Sequence, residues 1–129
     1  MSPRPPAPIP EVPGILTSAQ VAESARSIVA MQESDGAIPW TIGEHVDVWN
    51  HVEGAMALMV GNEFEAAERA YDWCRRTQRE DGSWAMKIVQ GEVEDASGET
   101  NMSAYLAVGV WHHWLERRDF EFVERMWPT

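Results

Sequence analysis

The strongest constraint on this chain is a short sequence that occurs twice. Gln32-Glu33-Ser34-Asp35-Gly36 returns as Gln78-Arg79-Glu80-Asp81-Gly82, 46 residues on. Each copy follows a helical stretch and leads to a tryptophan, Trp40 in the first and Trp84 in the second. A second match, Phe64-Glu65-Ala66-Ala67-Glu68-Arg69 with Phe120-Glu121-Phe122-Val123-Glu124-Arg125, recurs 56 residues on. Recurrence at this period marks a stacked unit that cannot bury its apolar face alone. The unit reads as an outer helix, a Gln/Gly/Trp loop and an inner helix. Gln32 and Gln78 carry both a donor and an acceptor for orphan backbone groups at a neighbouring helix end. Gly36 and Gly82 permit positive φ in a tight turn. Trp40 and Trp84 are expected to cover the joint with an apolar face.

The helices follow from capping and periodicity. Thr17-Ser18-Ala19-Gln20 fits a capping box, and Val21, Ala25, Ile28 and Val29 recur at helical spacing, so a first helix is expected over about 18 to 32. A second spans about 45 to 60 and ends on Gly61. Asn62-Glu63-Phe64-Glu65 reads as the capping box of a third, about 63 to 78. The two-residue joint makes these two an antiparallel hairpin. A loop over about 79 to 98 holds one short apolar run, Met86 to Val89, that suits a strand. A fourth helix is expected over about 100 to 117, capped by Thr100. A fifth starts at Phe120 behind Asp119, and Pro128 interrupts its continuation. The class is all-α, built of helical hairpins. Six of the eight prolines fall within residues 3 to 13, so residues 1–16 are expected to form a proline-rich disordered tail, with a docked arm as the other reading.

Composition narrows the function. Asp and Glu number 21 against 10 Lys and Arg, a net charge of -11. That balance argues against a nucleic-acid partner and against an anionic membrane surface. The longest apolar run, Ala104 to Trp111, is far short of the ~20 residues a membrane-spanning helix needs. A lone cysteine, Cys74, excludes an internal disulfide framework and reads as a buried core thiol. No secretory signal pattern opens the chain, so a cytoplasmic location is expected.

The second copy reads Arg69-Ala70, Trp73-Cys74, Gln78, Gly82, Trp84, and so resembles the QW motif of squalene–hopene and oxidosqualene cyclases. Cys74 departs from the usual aliphatic residue. In the first copy Ser27 stands for the aromatic and Trp40 comes two residues late. The resemblance covers about residues 17–129. It implies an α/α toroid of the terpenoid cyclase and prenyltransferase superfamily, most similar to bacterial proteins labelled prenyltransferases. It implies inner helices lining a cavity, an isoprenoid substrate, and Mg²⁺ at an acidic rim. The aspartate-rich motifs of those enzymes do not occur in this chain. Five helices do not close a ring of ten to twelve. Residues 17–129 are therefore expected to form about two and a half hairpins of an incomplete, N-terminal portion, inactive in isolation.

Candidate chemistry sits at the starts of the two inner helices. Asp47 and His51, at i and i+4, are the candidate catalytic pair, with a hydrogen bond or ion pair that would raise the His51 pKa. Trp49, Asn50, Glu99 and Asn101 are candidate substrate contacts. The same positions also suit a solvated capping face and the helix dipole. His112 and His113, adjacent and facing apart, do not form a shared metal site and suit a helix C-terminus. Three functions compete: an isoprenoid enzyme, a carbohydrate-active toroid using carboxylates such as Asp47 and Glu53 in pairs, and a non-catalytic repeat module with basic partners. Exposed apolar surface near the last two helices is expected to drive self-association.

Overall fold

In the computed structural model, residues 2–129 are described. They form helices α1 (Ser18–Met31), α2 (Val48–Val60), α3 (Phe64–Thr77), α4 (Thr100–Arg117) and α5 (Phe120–Met126), with strands β1 (Lys87–Val89) and β2 (Glu92–Asp95) between α3 and α4. The chain is thus mostly helical, and a two-stranded antiparallel hairpin occupies the region read as a loop with one strand. Val46, just before α2, exchanges two backbone hydrogen bonds with Ile88 of β1 and ties the hairpin to the entry of α2.

α2 lies at the centre and packs against α1, α3 and α4. Val48, Val52, Ala55, Leu58 and Met59 are buried around it, so little of the helix remains polar beyond its first turns. α3 meets it through Ala66, Ala67 and Ala70, whose small side chains allow close approach. Tyr71 and Trp73 fill the remaining volume, a burial on the order of 2–3 kcal/mol for each aromatic ring. α4 reaches α2 at Gly109, where a Cβ would lie 2.5 Å from Val52 Cγ1 of α2 and 2.8 Å from the Tyr71 hydroxyl oxygen of α3. Trp49 meets Tyr105, and Val52 meets Gly109, so α2 and α4 run side by side in the same direction.

Several helix ends differ from expectation. The Thr17–Gln20 capping box is present, and Asp119 accepts from the Phe122 N–H at 3.1 Å. α2 begins at Val48 because Asp47 takes the N-cap and accepts from the Asn50 N–H at 2.9 Å. The N-caps of α3 and α4 are Glu63 and Glu99, neither with a side-chain cap bond, so the Asn62 box does not form and Thr100 is already helical. Gly61 has φ −81°; the left-handed residue is Asn62, at φ 63°. Gly61 is required for a different reason: a side chain there would collide with Ala25 of α1.

The repeat survives as matching hydrogen bonds. In the first loop Glu33 N–H donates to Ala37 O, Gly36 N–H to Glu33 O, and Ala37 N–H to Asp35 Oδ1. In the second, Arg79 N–H donates to Ser83 O, Gly82 N–H to Arg79 O, and Ser83 N–H to Asp81 Oδ1. Gln32 Nε2 donates to Gly36 O at 3.0 Å and Gln78 Nε2 to Gly82 O at 3.1 Å. The glutamines also tie their loops to distant chain: Gln32 to Ala66 O of α3 at 2.9 Å, Gln78 to Thr129 O at 2.8 Å. In this register the residue equivalent to buried Trp84 is buried Ile38. Trp40 lies two residues further along and points out of the core.

Along the proline tract, Asn62 Nδ2 donates to Ala7 O, and Arg4 N–H donates to Arg117 O. Among the described residues no helix is long and apolar enough to cross a membrane. An open groove of about 730 Å³ runs along α4 and α5, walled by Trp84, Leu106, Trp111, Trp114, Phe120 and Trp127. It coincides with the apolar face expected near the last two helices. His113 is not at a solvated helix end. It is buried, stacked on Phe122 with centroids 3.5 Å apart, and its Nε2 lies 3.6 Å from Glu68.

Candidate functional site

The parallel packing of α2 and α4 brings their first turns to one end of the molecule. The free N–H groups of both helices point the same way there, which favours negative or strongly accepting groups.

Two polar clusters occupy this end. In the first, Glu53 Oε1 accepts from the Trp49 indole N–H at 2.9 Å and from the Tyr105 hydroxyl at 3.2 Å. Trp49 and Tyr105 also pack ring to ring, centroids 5.5 Å apart and tilted by 36°. Desolvation and the adjacent Glu53 carboxylate raise the Tyr105 phenol above its ordinary pKa, so it stays protonated and donating. The result is a carboxylate fixed from two helices beside a pair of accessible aromatic faces.

In the second cluster, Asp47 Oδ2 accepts from the Trp40 indole N–H at 2.6 Å and from Asn50 Nδ2 at 3.0 Å, while its Oδ1 caps α2. Asp47 is 3% exposed. A buried carboxylate costs free energy unless its lone pairs are engaged, and here three N–H donors engage them.

The expected Asp47–His51 pair does not form. His51 is fully buried and turned away from Asp47. The Ile38 N–H donates to its Nδ1 at 3.0 Å, so its Nε2 carries the proton and donates to Ala70 O at 2.8 Å. Its ring packs on Trp73 with centroids 4.5 Å apart. Burial pushes the His51 pKa down to about 4, opposite to the expected rise, because desolvation outweighs the Ala70 hydrogen bond and the distant carboxylates. His51 thus joins the first loop, α2 and α3 as a neutral ring.

Trp49, Asn50, Glu99 and Asn101 do lie near this end, with Asn50, Glu99 and Asn101 exposed. Sequence reasoning named Glu53 only as one example of a carboxylate and read Tyr105 as an apolar residue of its helix. Their pairing spans 52 residues of chain, and no local pattern announces it. Among the described residues no three His, Cys, Asp or Glu side chains converge on a common point.

These observations define a helical-repeat scaffold that holds one exposed and one buried carboxylate beside exposed aromatic rings. No family model matches the chain. A protein of Mycolicibacterium hassiacum, MMP endo-(1,4)-3-O-methyl-alpha-D-mannosidase, is 52% identical to it over 121 residues, which cover 94% of this chain and 34% of that protein. The chain therefore spans about a third of the length of the relative it matches.

That similarity overturns the terpenoid cyclase and prenyltransferase resemblance, and with it the isoprenoid substrate. The relative is named as a glycosidase. The physical reason lies in the motif itself. The Gln32 and Gln78 side chains are spent on backbone carbonyls that hold loops to helices. Such a staple serves any stacked helical hairpin and carries no information about a reaction.

Proposed function

We propose that this chain is part of a carbohydrate-active protein that binds and cleaves α-(1,4)-linked mannosides bearing 3-O-methyl groups, with the sugar seated at the first turns of α2 and α4. The observation that carries the reading is the Glu53 carboxylate held between Trp49 and Tyr105. Aromatic faces offer an apolar platform to the C–H face of a pyranose, and methylation enlarges that apolar surface. The name of the 52% identical relative supports the same substrate class.

Glycosidic cleavage uses two carboxyl groups, one donating a proton to the leaving oxygen and one acting as base or nucleophile at the anomeric carbon. Asp47 and Glu53 are our candidates for those roles. Asn50, Glu99 and Asn101 supply hydrogen bonds to sugar hydroxyls. His51 is assigned no proton transfer, since both its nitrogens are engaged in the core. The toroid is retained as the architecture: residues 17–129 form about two and a half hairpins of a longer ring, and the apolar groove along α4 and α5 is covered by its next helices.

The test has two parts. Titration of the 129-residue chain with an α-(1,4)-linked 3-O-methylmannose oligosaccharide is expected to show saturable binding that an unmethylated α-(1,4)-glucan does not reproduce. In the longer polypeptide carrying this segment, Asp47→Asn and Glu53→Gln are each expected to lower release of reducing ends at least about a hundredfold, in the range of a lost acid or base. Asn remains a good N-cap, so Asp47→Asn spares α2. Absence of binding by the chain, or wild-type hydrolysis in both variants, overturns the proposal.

A further inference from the structure

The indole edge of Trp40 serves Asp47, but its exposed ring face has no structural account. The buried position that Trp84 fills in the second repeat is filled in the first by Ile38. Trp40 is left 57% exposed and contributes little to the core. It is nevertheless held in place. Its indole N–H donates to Asp47 Oδ2 at 2.6 Å, its ring packs on His45 with centroids 4.8 Å apart, and its backbone N–H donates to His45 O at 3.1 Å. The intervening turn closes through Glu44 N–H to Thr41 O, with Gly43 at φ +84°. A buried carboxylate, an imidazole packed at a 36° tilt and a closed turn thus fix a large apolar face toward solvent. An indole offers such a face together with one polar edge, and here the edge is occupied by protein while the face is open. Asn50 donates to the same Asp47 oxygen and is itself exposed, so a polar amide lies beside the ring.

We propose that Trp40 is a sugar-stacking platform, a subsite separate from the Trp49–Tyr105 pair, which takes the C–H face of a methylated mannopyranose unit while Asn50 bonds one of its hydroxyls. The inference rests on the carbohydrate reading above and adds a second contact point to it, so the bound glycan spans at least two sugar units across the start of α2. Asp47 has a positioning role toward this platform besides its candidacy for catalysis.

The experiment is a titration of the ¹⁵N-labelled chain with an α-(1,4)-linked 3-O-methylmannose tetrasaccharide, following the seven indole N–H resonances. Trp40→Phe assigns the Trp40 signal by its disappearance. The Trp40 indole resonance is expected to move with the same saturation curve as that of Trp49. Trp40→Ala is expected to weaken binding about tenfold and Trp40→Phe, which keeps an aromatic face, about threefold. If the sugar moves the Trp49 signal but leaves the Trp40 signal and the Trp40→Ala affinity unchanged, the platform is overturned and the carbohydrate reading stands. If no indole responds, both fall. Should Trp40→Ala fail to fold, the wild-type shift and the Trp40→Phe affinity still decide the matter.

Discussion

Gly36 and Gly82 occupy the same place in the repeat, yet alanine at the two positions is expected to have unequal consequences. Both glycines have positive φ, 98° and 84°. An L side chain in that region costs about 1–2 kcal/mol. At Gly82 nothing more is added, since the nearest atom to a new Cβ is Gln78 Nε2 at 3.9 Å, an ordinary contact. At Gly36 the new Cβ would overlap the Arg69 carbonyl of α3, with the carbonyl carbon only 2.9 Å away. This is backbone, so relief requires α3 to move away from the first loop. That movement strains the Gln32 bond to Ala66 O and the Arg69 bond to Gln32 Oε1. Overpacking of this kind adds about 1–3 kcal/mol. Gly36→Ala is therefore expected to be less stable than Gly82→Ala by about 2 kcal/mol. With a urea slope of about 2 kcal/mol/M, the unfolding midpoints separate by about 1 M. Urea unfolding followed by circular dichroism at 222 nm reads the difference directly. Equal midpoints would mean that α3 does not contact the first loop as described, and would refute the stapling argument.

Two other perturbations follow from the same structure. His51 is neutral in the fold, its pKa pushed down to about 4 by burial, whereas an unfolded imidazole titrates near 6.5. Between those values the unfolded chain binds a proton that the folded chain does not, so stability is full above about pH 6.5 and falls as pH drops toward 4, by about 3 kcal/mol in all. Denaturation midpoints across that window, with the His51 ring signals followed by NMR, check this; a ring that protonates near pH 6.5 in the folded chain contradicts it. The exposed stripe Ala104, Val108, Trp111 and Leu115 on α4 is expected to bind an apolar dye, and Trp111→Glu with Leu115→Glu to remove at least half of the signal; an undiminished signal would place the exposed apolar surface elsewhere.

Local sequence carried much of the helical scaffold. Thr17 and Gln20, Asp119 and the spacing of apolar residues act within one or two turns, and all were readable without a fold. Capping was misread at Asn62 and Thr100, where the cap depends on how the chain enters the helix. The glycine at 61 was read as a C-terminal signal and does close α2 as its C-cap, but what requires a glycine there is the close approach of Ala25 of α1.

The site divides along the same line. Asp47, Trp49, Asn50, Glu99 and Asn101 were picked out as candidates because they cluster at helix starts, where polar residues stand out against an apolar pattern. The pairing of Asp47 with His51 was the wrong inference, because helical spacing states only which side chains are neighbours. Desolvation and competing backbone partners decide what a neighbour binds, and both belong to the surroundings of His51. The same holds for Glu53, Tyr105 and Trp40. What the sequence determined by itself was a set of stapled, mostly helical units. Tertiary structure alone decided that Tyr105 of α4 would reach Glu53 of α2 and which tryptophan would face water, because only packing brings those segments together.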